Sequence, residues 1–262
     1  MNHIMIDGYR ANENCLDDIK TVNSVLNEIV SALNIDSVMP PFLLPYYYSK
    51  DSDDDGISAF VLLEGGHITI HTFPRRGCLF VDLLYDGYFD GDKLSSILRR
   101  TFHYEVNDEK TLHTERRFYN PTIENAQSLN GGFGPHIIAR LEDVDVSFEQ
   151  IYDMLDELPH RTNMTPICRP YVLKAKNYIC GVVLIAQSHI AFHYCVEEKI
   201  LFADLFSCSF YKSDNFGAFL RNRFKGVEIN DKTLIRGSKY DKQISNRERR
   251  IRTLSSWQRN RK

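Results

Sequence analysis

The chain carries the same pattern of residues twice, and this repeat constrains its fold more than any other feature. The segment ISAFVLLEGGHITIHTF, which begins at Ile57, parallels ICGVVLIAQSHIAFHYC, which begins at Ile179. The segments LFVDLLYD and LFADLFSC follow them at the same offset of 122 residues. Because self-similarity at a fixed offset marks repeated structural units, we expect two similar halves.

Each half shows the same order of elements: a strand, a helix, three strands and a helix. Apolar residues recur at helical spacing over 16–33 and 148–158, and HITIH and HIAFH alternate as half-buried strands do. Short, hairpin-like connections favour mainly antiparallel sheets with helices on one face. We therefore predict an α+β fold, in which the two sheets pack together and the chain imitates a homodimer.

The repeat also predicts the domain organisation. Residues 1–120 form the first unit and residues 135–237 the second, each with a strand near its beginning. Between them, 121–134 are rich in Asn, Gly and Pro and read as a linker. Residues 238–262 form a basic tail, for which a solvated segment is favoured over a nucleic-acid site because only two aromatic residues accompany its charges.

The composition limits the cellular context and the cofactors. The chain has 262 residues, 43% of them hydrophobic and 26% charged, which is typical of a soluble protein. No stretch reaches the roughly 18 to 20 apolar residues that span a bilayer, so a cytoplasmic protein without a membrane partner is expected. The cysteines form no CxxC pair, which predicts reduced thiols and no metal. They are Cys15, Cys78, Cys168, Cys180, Cys195 and Cys208.

The second copy has two candidate nucleophilic residues, Ser188 and Cys208, that a strand–turn–strand could bring together. Ser188 lacks the Gly-x-Ser-x-Gly flanks of an ordinary acyl-transfer serine. Taken alone, a serine beside a histidine on a strand is more often structural than catalytic. Likewise, a free cysteine is usually a small buried hydrophobe.

Both halves resemble the S-adenosylmethionine decarboxylase family, whose motif reads approximately E-S-H-I-S-I-H-T-[WF]-P-E, then V-D-[VI]-F-[ST]-C. The matching segments are GGHITIHTFP, SHIAFH and ADLFSC, and the resemblance extends from HIMIDGY to about Phe224. It implies a four-layer αββα sandwich formed by a tandem duplication. It also implies a zymogen that cleaves itself before the motif serine, which becomes a pyruvoyl group. That group forms a Schiff base with the substrate amine and needs no added cofactor.

The family's functional positions are divided between the two copies. The pyruvoyl-precursor position is Gly66 in the first copy and Ser188 in the second. The thiol position is Asp86 in the first copy and Cys208 in the second. The two processing positions show the opposite loss. They are Ser58 and His71 in the first copy, but Cys180 and His193 in the second.

In the family the active site lies between two repeats or protomers. By resemblance, Ser188 and Cys208 therefore join Ser58 and His71 in one complete site, cleaved between Gln187 and Ser188. The degenerate site contains the remaining four residues, Gly66, Asp86, Cys180 and His193. In the complete site Cys208 is expected to protonate the substrate carbon after decarboxylation.

Two positions, Arg75 and Gln187, depart from the family pattern and leave the substrate open. Phe73 keeps the aromatic residue near the adenine, but Arg75 replaces the carboxylate that binds the ribose, and Glu197 keeps it in the other copy. Gln187 also replaces a glutamate before the cleaved bond. Arg75 either points to solvent or pairs with the nearby aspartates, or it marks a different substrate with an acidic or phosphate group.

Three functions remain after this comparison. The first is a pyruvoyl-dependent S-adenosylmethionine decarboxylase that serves spermidine biosynthesis, within polyamine biosynthesis. The second is a decarboxylase of another amino acid, suggested by Arg75. The third is a non-catalytic regulatory homologue that binds a related decarboxylase subunit. A small-molecule substrate is expected for either enzyme, and assembly as a homo-oligomer is left open.

Overall fold

The computed structural model describes residues 1–45, 54–113, 134–186, 188–208 and 214–237. The predicted basic tail lies outside these residues, and so does the linker except for Gly134. The first half contains β1 (Asn2–Tyr9), α1 (Glu13–Leu16), α2 (Ile19–Leu33), β2 (Phe42–Pro45), β3 (Ile57–Leu63), β4 (Gly66–Phe73), β5 (Cys78–Tyr85), α3 (Gly91–Phe102) and β6 (Val106–His113). The second contains β7 (Gly134–Leu141), α4 (Phe148–Arg161), β8 (Tyr171–Ala175), β9 (Tyr178–Ile185), β10 (Ser188–Cys195), β11 (Ile200–Phe206), α5 (Asp214–Arg223) and β12 (Ile229–Arg236).

Each half forms one six-stranded antiparallel sheet. The strand orders are β2-β3-β4-β5-β1-β6 and β12-β7-β11-β10-β9-β8. The predicted α+β class is confirmed. Each sheet has two strands more than the four predicted for each half. One is the short edge strand β2 or β8, and the other is β6 or β12, which follows the last helix and pairs with β1 or β7.

Local sequence signals explain where the long helices begin. Asp18 caps α2 by accepting hydrogen bonds from the backbone of Lys20 and Thr21, and Ser147 with Gln150 forms a capping box at the start of α4. Such caps satisfy backbone donors that have no partner within the helix. Both helices can therefore begin at the points where their apolar faces meet the sheets.

Three apolar layers place the sheets between the helices. One layer packs α2 and α3 onto the first sheet, and a second packs α4 and α5 onto the other sheet. The third lies between the two sheets and contains residues of both halves, among them Phe60, Leu62, Val182 and Leu184. The order is helix, sheet, sheet, helix, as the αββα expectation requires. We call the space between the sheets the seam.

Strands β4 and β10 face each other across the seam. Because side chains alternate along a strand, Ile68 and Ile70 of β4 enter the helix-side core, whereas His67 and His71 point into the seam and contact histidines of β10. The repeated motif therefore directs its polar residues toward the other half of the chain.

Candidate active site

Ser58 and His71 form a hydrogen-bonded pair on neighbouring strands of the first sheet. They are opposite each other in the pairing of β3 with β4, and Ser58 Oγ lies 2.9 Å from His71 Nδ1. Both side chains are fully buried. Burial lowers the pKa of His71 well below its ordinary value, and the neighbouring His189 lowers it further. The imidazole is therefore neutral near pH 7 and can accept a proton.

This pair reaches the second half through His189, the residue after Ser188. Nε2 of His71 lies 2.9 Å from Nδ1 of His189 across the seam. The sequence of contacts is thus Ser58, His71, His189, with Ser188 next in the chain. The geometry places the two processing residues of the first half at the beginning of β10.

Ser188 and Cys208 meet through a backbone hydrogen bond. The backbone N–H of Cys208 donates to Ser188 Oγ at 2.8 Å, and both residues are buried. Cys208 also packs in one apolar cluster with Phe73 and Phe206. The ring centroid of Phe206 lies 6.0 Å from that of His71, so this cluster links the Ser188–Cys208 contact to the Ser58–His71 pair.

The opposite region contains the four residues of the predicted degenerate site. His193 Nε2 lies 2.7 Å from Nδ1 of His67, the residue after Gly66. This histidine pair is the counterpart of the His71–His189 pair. The hydrogen bonds end there, because within the described residues His193 Nδ1 has no hydrogen-bond partner. Burial lowers the pKa of His193 to about 3.

Cys180 and Asp86 have other contacts in this second region. Burial raises the pKa of the Cys180 thiol to about 12, although the backbone N–H groups of Gly65 and Gly66 act in the opposite direction. Asp86 accepts a hydrogen bond from the hydroxyl of Tyr178. No side chain fits at Gly66, since an added Cβ would lie 1.9 Å from the carbonyl oxygen of Leu84. These residues form a packed structural region.

The positions that depart from the family pattern lie at the surface or outside the described residues. Arg75 is exposed in the turn after β4, and it is the neighbouring Arg76 that pairs with Asp54, one of the nearby aspartates. Glu197 is exposed in the turn after β10. Gln187 lies outside the described residues, so the structure gives no geometry for the bond before Ser188.

Sequence reasoning missed Arg236, a fully buried cation at the end of β12. Its guanidinium donates to Asp7 at 2.6 Å and to Asp82 at 2.7 Å. Burial by itself would raise the pKa of Asp82, but Arg236, with a smaller contribution from His136, holds it well below the ordinary value. No pattern in the sequence distinguishes Arg236 from the basic residues that follow it.

Comparisons with known proteins agree with the motif. The family model described as S-adenosylmethionine decarboxylase matches residues 2–115 and again 136–237. An S-adenosylmethionine decarboxylase proenzyme of Thermoplasma acidophilum is 28% identical over 111 residues, which cover 40% of this chain and 85% of the relative. The proenzyme of Aquifex aeolicus is 33% identical over 79 residues, which cover 29% of this chain and 58% of the relative.

Solved structures give a weaker likeness. The crystal structure of the adenosylmethionine decarboxylase from Aquifex aeolicus is 19% identical, covers 45% of this chain and 96% of its own, and has a TM-score of 0.37. Within the described residues, no helix is long and apolar enough to cross a bilayer. On the family model, which matches both halves over most of their length, the chain belongs to the S-adenosylmethionine decarboxylase family.

Proposed function

We propose that the chain is a self-cleaving, pyruvoyl-dependent decarboxylase whose substrate is S-adenosylmethionine, and that its product serves spermidine synthesis. One observation carries the proposal: of the two matching histidine pairs across the seam, only one is completed by a serine. His71 has Ser58 at 2.9 Å, whereas His193 Nδ1 lacks a partner in the described part of the chain. The completed pair adjoins Ser188, the only serine at a precursor position of the repeat.

Processing requires a hydroxyl that attacks the preceding carbonyl. In this proposal Ser188 Oγ attacks the carbonyl carbon of Gln187, the C–N bond breaks and an ester forms. Loss of the Ser188 α-proton then breaks the Cβ–O bond and releases the carboxylate of Gln187. Hydrolysis of the remaining dehydroalanine gives ammonia and the pyruvoyl group. His71, neutral and bonded to Ser58, is the candidate acid–base residue for these proton transfers.

The surroundings of Ser188 fit a group formed from its own atoms. The serine is buried, and the Cys208 N–H donates to Oγ, the atom that attacks and later leaves with the Gln187 carboxylate. A pyruvoyl carbonyl supplies the electron sink for loss of carbon dioxide from an amino acid. The chain supplies the rest: apolar walls from Phe73 and Phe206 exclude water, and the Cys208 thiol is the candidate proton donor.

Intact-mass spectrometry tests processing directly. We expect a C-terminal fragment of about 8 to 9 kDa, from ordinary residue mass, together with the larger N-terminal fragment, in place of one 30.4 kDa species. Ser188→Ala should remain a single chain. A wild-type chain that stays uncleaved would contradict both enzymatic functions and favour the regulatory homologue.

Carbon dioxide release from carboxyl-labelled amino acids tests the substrate. We expect release from S-adenosylmethionine and none from ornithine, arginine or glutamate, with borohydride in the presence of substrate trapping the labelled compound on the smaller fragment. The exposed Arg75, where the family has a carboxylate, motivates the other substrates in this panel. Release from one of those alone would show that the cleaved chain decarboxylates another amino acid.

A further inference from the structure

A cluster of buried histidine and aspartate side chains occupies the seam beside the site described above. Asp204 of β11 is central to it. Nε2 of His189 lies 3.5 Å from one carboxylate oxygen of Asp204, and Nε2 of His67 and Nε2 of His3 lie 3.8 and 3.7 Å from the other. All four side chains are buried. Two of them come from each half of the chain.

The facing atoms of this cluster have no hydrogen bonds within the described residues. They are His3 Nε2, His67 Nε2, His189 Nε2 and Asp204 Oδ2. Separations of 3.5 to 3.8 Å are longer than ordinary hydrogen bonds. Because unsatisfied buried polar groups cost free energy and are rare in native proteins, four of them around one point indicate a missing partner.

The separations fit a metal ion at that point. A tetrahedral zinc ion binds histidine nitrogen and carboxylate oxygen at about 2.0 to 2.2 Å, which puts its ligand atoms roughly 3.3 to 3.5 Å apart. The 3.8 Å from Asp204 Oδ2 to His67 Nε2 requires only a small movement to reach this range, and His189 Nε2, 3.5 Å from Oδ1, faces the same carboxylate. The ligand atoms of His67, His189 and Asp204 also all lie within 4.8 Å of one another.

The other ring nitrogens are already oriented as they are in metal sites. A histidine that binds a metal through Nε2 commonly donates its Nδ1–H to an outer partner, which fixes the ring. Here Nδ1 of His67 lies 2.7 Å from His193, and Nδ1 of His189 lies 2.9 Å from His71. Both ligand rings are therefore held with Nε2 directed at Asp204.

His136 supports the site without being one of its ligands. Its Nδ1 accepts from Arg236 at 3.0 Å, so its Nε2 carries the hydrogen and donates to Asp204 Oδ1 at 2.6 Å. This bond occupies one carboxylate oxygen and leaves the other free to bind a cation. His3 Nε2 lies 3.7 Å from that second oxygen and 3.6 Å from Asp82 Oδ1, so it would have to turn from Asp82 to supply the fourth ligand.

The charges of the seam call for a further cation near Asp204. Arg236 neutralises Asp82, the counterpart of Asp204 in the first copy, and also contacts Asp7. At the repeat offset, the residue that corresponds to Arg236 is Thr114, which carries no charge. Among the described residues of the seam, Asp7, Asp82 and Asp204 are the buried carboxylates, and the Arg236 guanidinium contacts two of them. A divalent ion would balance the remaining charge.

We propose that the seam binds one divalent transition-metal ion, zinc above all, through His67 Nε2, His189 Nε2 and Asp204, with His3 Nε2 as the fourth ligand. Three imidazoles and a carboxylate suit zinc. The ion joins the two halves of the chain, and its second shell includes His71. The absence of a CxxC pair had predicted no metal. These ligands could not be recognised in the sequence, because they are scattered over four strands and meet only after the sheets pack.

Metal analysis of the untagged, full-length chain tests the proposal. We expect about one zinc per chain after purification without chelators, and a lower Tm after treatment with a chelator that ZnCl2 restores. In the chelated chain, Co2+ should produce the intense visible absorption of a four-coordinate nitrogen–oxygen site. The measurement does not depend on decarboxylase activity, and it can be repeated in Ser188→Ala.

Substitutions locate the ion. Asp204→Asn keeps the shape of the side chain but removes its charge, and His67→Asn removes one imidazole. Each should weaken zinc binding at least about tenfold, since loss of an outer partner of a ligand already costs about 10- to 100-fold in metal affinity. His160→Gln is the control, because that histidine is exposed on α4. Zinc retained by Asp204→Asn and His67→Asn would overturn the site.

The wild-type chain keeps the proposal testable if these variants do not fold. A purified protein without stoichiometric metal, whose Tm responds neither to the chelator nor to ZnCl2, would overturn it. Cleavage before Ser188 in such a metal-free protein would leave the proposed function intact. An uncleaved protein with bound zinc would support the metal site and contradict the proposed function.

Discussion

The imidazole of His71 meets that of His189 across the seam, with Nε2 of the first 2.9 Å from Nδ1 of the second. The two residues come from different halves of a duplicated chain, and each adjoins one part of the proposed chemistry. His71 is bonded to Ser58, and His189 follows Ser188. The duplicated motif faces itself across the seam, so a residue lost in one copy is supplied by the other.

Removal of the Ser58 hydroxyl should slow self-cleavage. Ser58→Ala leaves His71 without its partner at Nδ1, and the loss of a positioned acid–base group typically costs about 100-fold or more in rate. The measurement is the time course of fragment appearance after synthesis. The matched control is Cys180→Ala, which truncates the equivalent residue of the other copy. Equal slowing in both variants would show that Ser58 acts only through packing.

The thiol of Cys208 should be needed for decarboxylation but not for cleavage. The contact with Ser188 is made by the backbone N–H of Cys208, which Cys208→Ala retains. We therefore expect normal fragments, with carbon dioxide release about 100-fold lower or more because a general acid is lost.

Cys78→Ala controls for the loss of a buried thiol from the same apolar cluster, and it should keep its activity. If Cys208→Ala released carbon dioxide at the wild-type rate, another group would have to donate the proton.

Restoring a serine in the first copy should not create a second cleavage site. In Gly66→Ser the new Cβ would lie 1.9 Å from the carbonyl oxygen of Leu84 and 2.7 Å from its carbon. Such overpacking costs roughly 1 to 3 kcal/mol in the free energy of unfolding. We expect a lower Tm and the wild-type fragment pattern by mass spectrometry. A new cleavage before residue 66 would mean that the second region retains processing chemistry.

Some of the contacts in the seam could be predicted from the sequence, and others could not. The family resemblance placed Ser58 and His71 in one site, and the short hairpin between β3 and β4 sets them opposite each other. The contact between Asp204 and His67 could not be predicted from the sequence, because it depends on the rotation and spacing of two sheets. Neither quantity is encoded in the alternation of a single strand.

Arg236 was missed for a related physical reason. A lone arginine at the end of a strand is usually exposed, and here basic residues follow it in the sequence. Its burial is tolerable only because Asp7, Asp82 and His136 converge on it from three other strands. The strands after the last helices, β6 and β12, were missed because their mixed polar sequences lack a clear alternation of apolar residues.

Loss of the Arg236 guanidinium should destabilise the chain far more than loss of a surface cation. Arg236→Met leaves Asp7 and Asp82 buried without their main counter-charge, and breaking a buried pair in this way costs about 3 to 5 kcal/mol. The free energy of unfolding should be measured in urea, in the Ser188→Ala background so that the chain stays in one piece.

Arg10→Ala is the control for that measurement, because the Arg10–Glu105 pair is largely exposed, at 72% and 67% of the two side chains. Loss of this pair should cost only about 0 to 1 kcal/mol. Combining Arg236→Met with Asp7→Asn should recover part of the loss, since one uncompensated carboxylate is removed. If Arg236→Met cost no more than Arg10→Ala, the buried ion network would not be holding the two halves together.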